Sequence, residues 1–216
     1  MDSFTAENAI RLDHQKVFSN DIFPLSTLFG PTGGKMFAIM ECIRTDSTTL
    51  FIKAFSGQLN GRWLIDGWAP PLFDVDRFNS ISYRVEKNIK DLGRRLAQTT
   101  PHSKQWLHIK KTRRSMSRQL MTKIHGLYKL TNFKGETLPL HEVYGKSGGI
   151  PAGTGDCCAP KLLNYAVKNN LTPRGIAEFY WGRENASATR QHTEFYPPCS
   201  EKCKPILGFM LCGLEK

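Results

Sequence analysis

The chain has 216 residues, of which 40% are hydrophobic and 23% are charged, so its composition is that of a folded globular protein and excludes a disordered chain. No stretch approaches about 18 consecutive apolar residues, and the N-terminal sequence MDSFTAENAIRLDH lacks the features of a secretory signal. We therefore expect a cytoplasmic protein with no membrane partner. Lys and Arg outnumber Asp and Glu by 30 to 19, which favours a polyanionic partner.

The first predicted element is a β-hairpin, after an irregular segment over residues 1–34. Two apolar runs, KMFAIMECI at residues 35–43 and LFIKAFSGQL at residues 50–59, are separated by a polar turn, as in two paired strands. The loop GRWLIDGWAPPLFD follows. Its Trp63 and Trp68 are interpreted either as core anchors for the hairpin or as platforms on which nucleic-acid bases stack.

Two helices come next in the chain. Apolar residues recur every three or four positions from residue 79 to residue 98, with Asn79 or Ser80 as the expected N-cap. After a break at Pro101, a second helix is predicted over residues 103–129. The simplest arrangement is a helical hairpin with one apolar seam and a basic outer face.

This helical arm carries most of the positive charge of the chain. Residues 84–134 contain fourteen Lys and Arg and only two acidic residues, Glu86 and Asp91. Such a segment suits RNA, either tRNA or rRNA, because each phosphate contact releases condensed counterions. The alternative is a solvated helix face that keeps the protein soluble. The candidate RNA contacts are Lys110, Lys111, Arg113, Arg114, Arg118 and Lys123.

The C-terminal part is predicted to contain a glycine-rich loop after Asn132, a helix over Cys158–Lys168, a strand over residues 176–181 and a short helix over residues 204–214. The fold class is therefore α/β (α+β) with a small sheet. We expect one integrated domain with four segments: residues 1–34, irregular; 35–78, hairpin and aromatic loop; 79–131, basic helical arm; and 132–216, a helix–strand–helix region with Cys and His.

Cysteines near two helix starts form the candidate site. Cys157 precedes one helix, Cys199 and Cys203 precede the last one, and His192 lies seven residues before Cys199. A helix N-terminus lowers a thiol pKa, which suits a metal ligand or a nucleophile. The first hypothesis is therefore a zinc (Zn²⁺) site formed by Cys157 (or Cys158), His192, Cys199 and Cys203, which match tetrahedral N/S coordination.

Three other interpretations stay open. A zinc-dependent deaminase-like hydrolase that acts on a nucleobase has a similar layout. The Glu expected two residues after the first ligand is absent, so that Glu178 or Glu142 would have to replace it. A Cys–His hydrolase or transferase, reminiscent of transglutaminases, would use Cys157 as nucleophile and His192 as base. Finally, the thiols could simply be small buried hydrophobic groups.

Several stretches of the chain resemble a known segment, the long N-terminal extension of some RluA-type bacterial pseudouridine synthases. The stretches are GTGDCCAPKLLNYA, AEFYWG, HTEFYPPCSEKCKPILGFMLCGL, GKMFAIM, AFSGQLNGR, APPLFD and RRSMSRQLMTKIHGLYKLTNFKGE. The matching positions are Gly153, Gly155, Cys157, Lys161, Glu178, Trp181, His192, Cys199 and Cys203. The relatives tend to have Ala where this chain has Cys158, which favours Cys157 as the ligand or nucleophile.

The resemblance implies a role accessory to RNA modification, with RNA or a separate modification enzyme as partner. It implies no mechanism. The synthase catalytic domain would follow this segment, and its Arg-Leu-Asp signature is matched here only by Arg11-Leu12-Asp13, in a different context. We therefore expect no pseudouridine synthase activity from this chain alone.

Overall fold

The computed structural model describes residues 25–31, 33–145 and 149–214, so most of the predicted segment 1–34, including Arg11-Leu12-Asp13, lies outside the described residues. The predicted hairpin is confirmed: β1 (Lys35–Ile43) pairs antiparallel with β2 (Thr49–Phe55). The second strand ends four residues before the predicted boundary, because the chain turns at Gly57, whose φ is +58°.

Two long helices follow the aromatic loop. Helix α1 (Val75–Gln98) begins four residues earlier than predicted, and its N-cap is Asp74, whose carboxylate accepts the Arg77 N–H at 2.8 Å. The prediction of Asn79 or Ser80 as the cap is therefore wrong. The added turn places Phe78 in the main core. This packing extends the helix although the apolar pattern of the added residues is weak.

Helix α2 (Lys104–His125) begins where the sequence predicts, with Ser103 as its N-cap, but ends four residues earlier than predicted. The chain turns at Gly126, and Tyr128 enters the core. A short strand β3 (Lys129–Thr131) then pairs with β4 (Thr137–Pro139); the sequence predicts the end of the second helix at the first of these strands and a loop at the other. The turn between them is held by Asn132, whose side-chain oxygen accepts the Lys134 and Glu136 N–H groups.

The C-terminal part contains helices α3 (Leu140–Tyr144), α4 (Cys158–Lys168) and α5 (Lys204–Met210) and strand β5 (Thr172–Trp181). Helix α4 has the predicted bounds, β5 starts four residues earlier and α5 ends four residues earlier than predicted. Strand β5 pairs antiparallel with the free side of β1, which gives the sheet order β2-β1-β5. This architecture is the predicted α+β fold with a small sheet.

The main core joins these elements. Leu162 and Ala166 of α4 are fully buried together with Ala38 and Ala54 of the sheet. The base of the helical arm contributes Phe78, Leu120 and Ile124, while the rest of α1 and α2 pack mainly on each other. Thus, the arm projects from the core that the other segments share. None of the described helices has the length and apolar character needed to cross a bilayer.

Both candidate aromatic residues of the loop pack as core anchors, which is the first of the two interpretations given above. The Trp63 ring meets Phe73 and Phe78 edge-to-face, with centroids 5.0 and 5.2 Å away. Trp68 lies 5.7 and 5.6 Å from the rings of Phe37 and Phe55, in a second, smaller cluster on the other side of the sheet.

Candidate metal centre

The loop before α4 places Cys157 at the helix start. Asp156 anchors this loop: its carboxylate accepts the Tyr128 hydroxyl at 2.5 Å, and its carbonyl accepts the Gly57 N–H at 2.8 Å. Gly155 has a φ of +90°, and a Cβ there would come within 2.9 Å of the Tyr128 ring. Only glycine therefore allows the loop to approach Tyr128 so closely.

The other two cysteines lie in the turn that leads into α5. The Cys203 N–H points at both the carbonyl oxygen and the sulfur of Cys199, at 3.2 and 3.3 Å. This turn is tied to α3, because the Tyr144 hydroxyl donates to the Glu201 carbonyl at 3.0 Å. Cys203 is completely buried, whereas Cys157 and Cys199 are half-buried.

These elements bring three sulfur atoms together. The Sγ atoms of Cys157 and Cys199 are 3.9 Å apart, and those of Cys157, Cys199 and Cys203 all lie within 4.8 Å of one another. Tetrahedral zinc with bonds of 2.3 Å to sulfur separates its sulfur ligands by about 3.8 Å. The three-thiol group, as we call these residues, is therefore spaced to hold one metal ion.

The hydrogen bonds within the group decide which thiol ionises first. The pKa of Cys157 is lowered, chiefly because the Cys203 thiol donates a hydrogen bond to it, although burial opposes the shift. The same bond raises the pKa of Cys203. Burial raises the pKa of neighbouring Cys158 well above its usual value, and its thiol donates to the Met36 carbonyl in the core. Of the two adjacent cysteines, Cys157 is thus the one suited to a metal.

His192 does not join the sulfur atoms, although the sequence predicted it as fourth ligand or as catalytic base. Its Nδ1 accepts the Gly182 N–H at 3.2 Å, and its ring packs edge-on against Trp181 and Phe29. Among the described residues, the group with metal-ligand spacing contains three cysteines and no histidine. The reason is that the chain after His192 hydrogen-bonds along the edge of β5, through the Thr193 N–H and the Tyr180 carbonyl.

Glu178 lies close to the thiols, but its carboxylate is hydrogen-bonded to the start of helix α4. It is buried on β5, and its Oε1 accepts the Ala159 N–H at 2.9 Å in the first turn of α4. Burial raises its pKa, while the Ala159 N–H and the charge of Arg190 lower it. The alternative acid Glu142 is an exposed residue of α3. The deaminase-like and Cys–His enzyme hypotheses therefore remain predictions.

Two lysines, buried Lys161 and half-buried Lys35, support the region in a way that the residue pattern alone did not reveal. Lys161 is 1% exposed, and its ammonium donates to the carbonyls of Phe55 and Gly57 at 2.8 and 2.9 Å. Burial lowers its pKa to about 8. Lys35 donates to the next carbonyls along the same turn, those of Ser56 and Gln58. A lysine inside the apolar run CAPKLL was the available signal, since a buried ammonium needs several acceptors.

The predicted RNA contacts all lie on the exposed surface of α2, which contains no acidic residue. The indole of Trp106 adds a cation–π contact, with the Lys110 ammonium 4.5 Å from its ring centroid. At the base of the arm, a cleft of about 1100 Å³ has Lys35, Trp63, Tyr83 and Arg84 among its walls. The exposed contact candidates are Lys110, Lys111, Arg113, Arg114, Arg118 and Lys123.

No protein family, no curated protein and no solved structure matches the chain. The resemblance to the extension of pseudouridine synthases therefore remains a prediction from the sequence.

Proposed function

We propose that the protein is a zinc-binding, RNA-associated module that acts as an accessory to RNA modification. The observation that carries the proposal is the three-thiol group, whose sulfur atoms lie within 4.8 Å of one another although one of them is 42 residues away from the next in the chain. Thiolates are soft ligands that select zinc over Mg²⁺, Ca²⁺ or Mn²⁺. No disulfide joins these three cysteines, so all of them are available as ligands.

The RNA part of the proposal depends on the arm. Helices α1 and α2 pack on each other and project from the core, which leaves their charged side chains open to a large partner. Helix α2 presents seven Lys and Arg and contains no acidic residue of its own. This distribution supports contact with phosphates, which positions a protein on RNA without reading its sequence.

The metal is tested by elemental mass spectrometry of the purified full chain, together with thiol titration under native conditions. We expect about one zinc ion per chain, with the three-thiol group protected until a chelator removes the metal. The Cys212→Ser variant is the matched control, because Cys212 is half-buried outside the group, and it should retain the metal. Metal-free protein with all three thiols freely reactive would refute the zinc site.

The RNA contact is tested by fluorescence anisotropy with a labelled single-stranded RNA oligonucleotide at increasing salt. The logarithm of the binding constant should fall linearly with the logarithm of the salt concentration. An affinity that is absent at low salt, or that does not change with salt, would contradict the role of the arm.

A further inference from the structure

The three-thiol group is open on one side. Cys157 and Cys199 line a surface cleft of about 600 Å³, whereas Cys203 is buried behind them. In the part of the chain that the structure describes, no fourth Cys, His, Asp or Glu joins the group. Structural zinc sites are closed by four protein ligands, while catalytic or ligand-binding sites keep one position for water or a substrate. An ion held by these three sulfur atoms is therefore accessible from the cleft.

Two cationic side chains line the same cleft. The guanidinium of Arg190 lies 4.3 Å from the centroid of the Tyr196 ring and donates from Nη1 to the Thr189 carbonyl at 2.8 Å. These contacts orient a planar group that has further N–H donors to offer. The second cation is half-buried Lys202, which also faces the carboxylate of Asp156.

The cationic groups that line the cleft favour an anion with several oxygen atoms. A divalent ion bound by three thiolates has a net charge of −1, and Arg190 and Lys202 bring two positive charges to the cleft, which also act on the carboxylates of Glu178 and Asp156 behind it. Glu201 is the acidic residue among the described walls of the cleft, and it is exposed, so that solvent screens it. Phosphate can place one oxygen on a metal while an arginine fork binds two others.

We propose, on the basis of the zinc site proposed above, that the three-thiol group is an open metal site that binds a phosphate group. The metal provides one contact at its fourth position, and Arg190 and Lys202 provide the others. The phosphate belongs either to a free small molecule or to the end of an RNA chain, and the chemistry of recognition is the same in both cases.

The test uses the full chain with Co²⁺ in place of zinc, because the visible spectrum of cobalt bound to thiolates changes when its fourth ligand changes. Inorganic phosphate should alter the spectrum in a saturable way. A 5′-phosphorylated RNA oligonucleotide and the same oligonucleotide with a 5′-hydroxyl are then compared. A response to the phosphorylated RNA alone assigns the site to an RNA terminus, whereas a response to inorganic phosphate but to neither RNA assigns it to a small molecule.

The variant Arg190→Gln separates phosphate binding from metal binding. It should weaken the response to phosphate at least about tenfold, because a charged hydrogen-bond donor is lost, and leave the bound cobalt at one per chain. Arg183→Gln is the control, because Arg183 is exposed and does not line the cleft. The proposal would be overturned if phosphate left the cobalt spectrum unchanged, or if Arg190→Gln responded to phosphate as the unmodified chain does. A chain that binds no cobalt would instead refute the zinc site itself.

Discussion

The three-thiol group and the helical arm are built in opposite ways. The group unites residues from two distant segments and depends on contacts such as that of Tyr128 with Asp156, which anchor its loops to the core. The arm consists of two consecutive helices whose charged residues face solvent and whose contacts are mostly with each other. A buried set of sulfur atoms therefore requires the whole fold, whereas a charged surface requires only a helix and its sequence.

The largest expected effect is that of Cys203→Ser on zinc binding by the three-thiol group and on the stability of the protein. The change removes a fully buried ligand and should abolish zinc binding. The linked loss of stability is about 4 kcal/mol when free zinc is a thousandfold above its dissociation constant. Zinc content and the melting temperature of the purified protein measure both consequences. If Cys203→Ser melted like the control Cys212→Ser and kept its metal, the contrast between the two regions would fail.

The arm should behave in the opposite manner. The triple variant Arg113→Gln, Arg114→Gln and Arg118→Gln should bind single-stranded RNA about 100-fold more weakly at 0.1 M salt, with a salt slope smaller by about 2, since three phosphate contacts are lost. These residues are exposed, so the melting temperature should hardly change. Anisotropy titrations at several salt concentrations measure the slope.

The matched control for the arm carries three equally exposed changes elsewhere. Lys168→Gln, Arg174→Gln and Arg183→Gln remove the same charge from the surface around α4 and β5. An equal loss of affinity in this control would mean that net charge, rather than the arm, governs RNA binding.

A smaller effect is expected for Tyr128→Phe, which leaves the metal ligands intact but disturbs the loop that carries Cys157. The Asp156 carboxylate would lose the hydroxyl that it accepts at 2.5 Å, and a buried group without its partner costs about 1–3 kcal/mol. Urea denaturation measures the change in the free energy of unfolding. Tyr83→Phe should leave the free energy of unfolding unchanged, because that side chain is 74% exposed. Equal losses of stability in the two variants would show that the Tyr128 hydroxyl does not anchor the loop.

The smallest effect is expected for Asp74→Ala at the start of the arm. The variant removes the carboxylate that accepts the Arg77 N–H, and loss of such an N-cap costs about 1 kcal/mol. Circular dichroism during urea unfolding measures it, with exposed Glu184→Ala as the control. No difference between the two variants would show that packing of Phe78, and not the cap, determines where α1 begins.

Features that depend on local sequence were predicted correctly, whereas features that depend on distant contacts were not. The hairpin, both long helices and α4 were recognised, because alternation and helical periodicity are local consequences of burying one face. The ends of the elements differ from the predicted ones by up to four residues where tertiary contacts determine them. Examples are Phe78 at the start of α1 and Tyr128 after α2, both of which pack in the main core. Strands β3 and β4 were missed, since three-residue strands held by an Asn132 turn leave no periodic signal.

The fold class, the exposed basic arm and the choice of Cys157, Cys199 and Cys203 as candidate metal ligands were all accessible from the sequence, because each is expressed in local composition or spacing. The packing of His192 on Trp181 rather than beside the thiols, and the hydrogen bond of Glu178 to the first turn of α4, follow from tertiary contacts alone. The fold also places Arg190 and Lys202 in the cleft that Cys157 and Cys199 line. Such neighbours depend on how β5 and the chain after it pair in space, which local composition and spacing do not express.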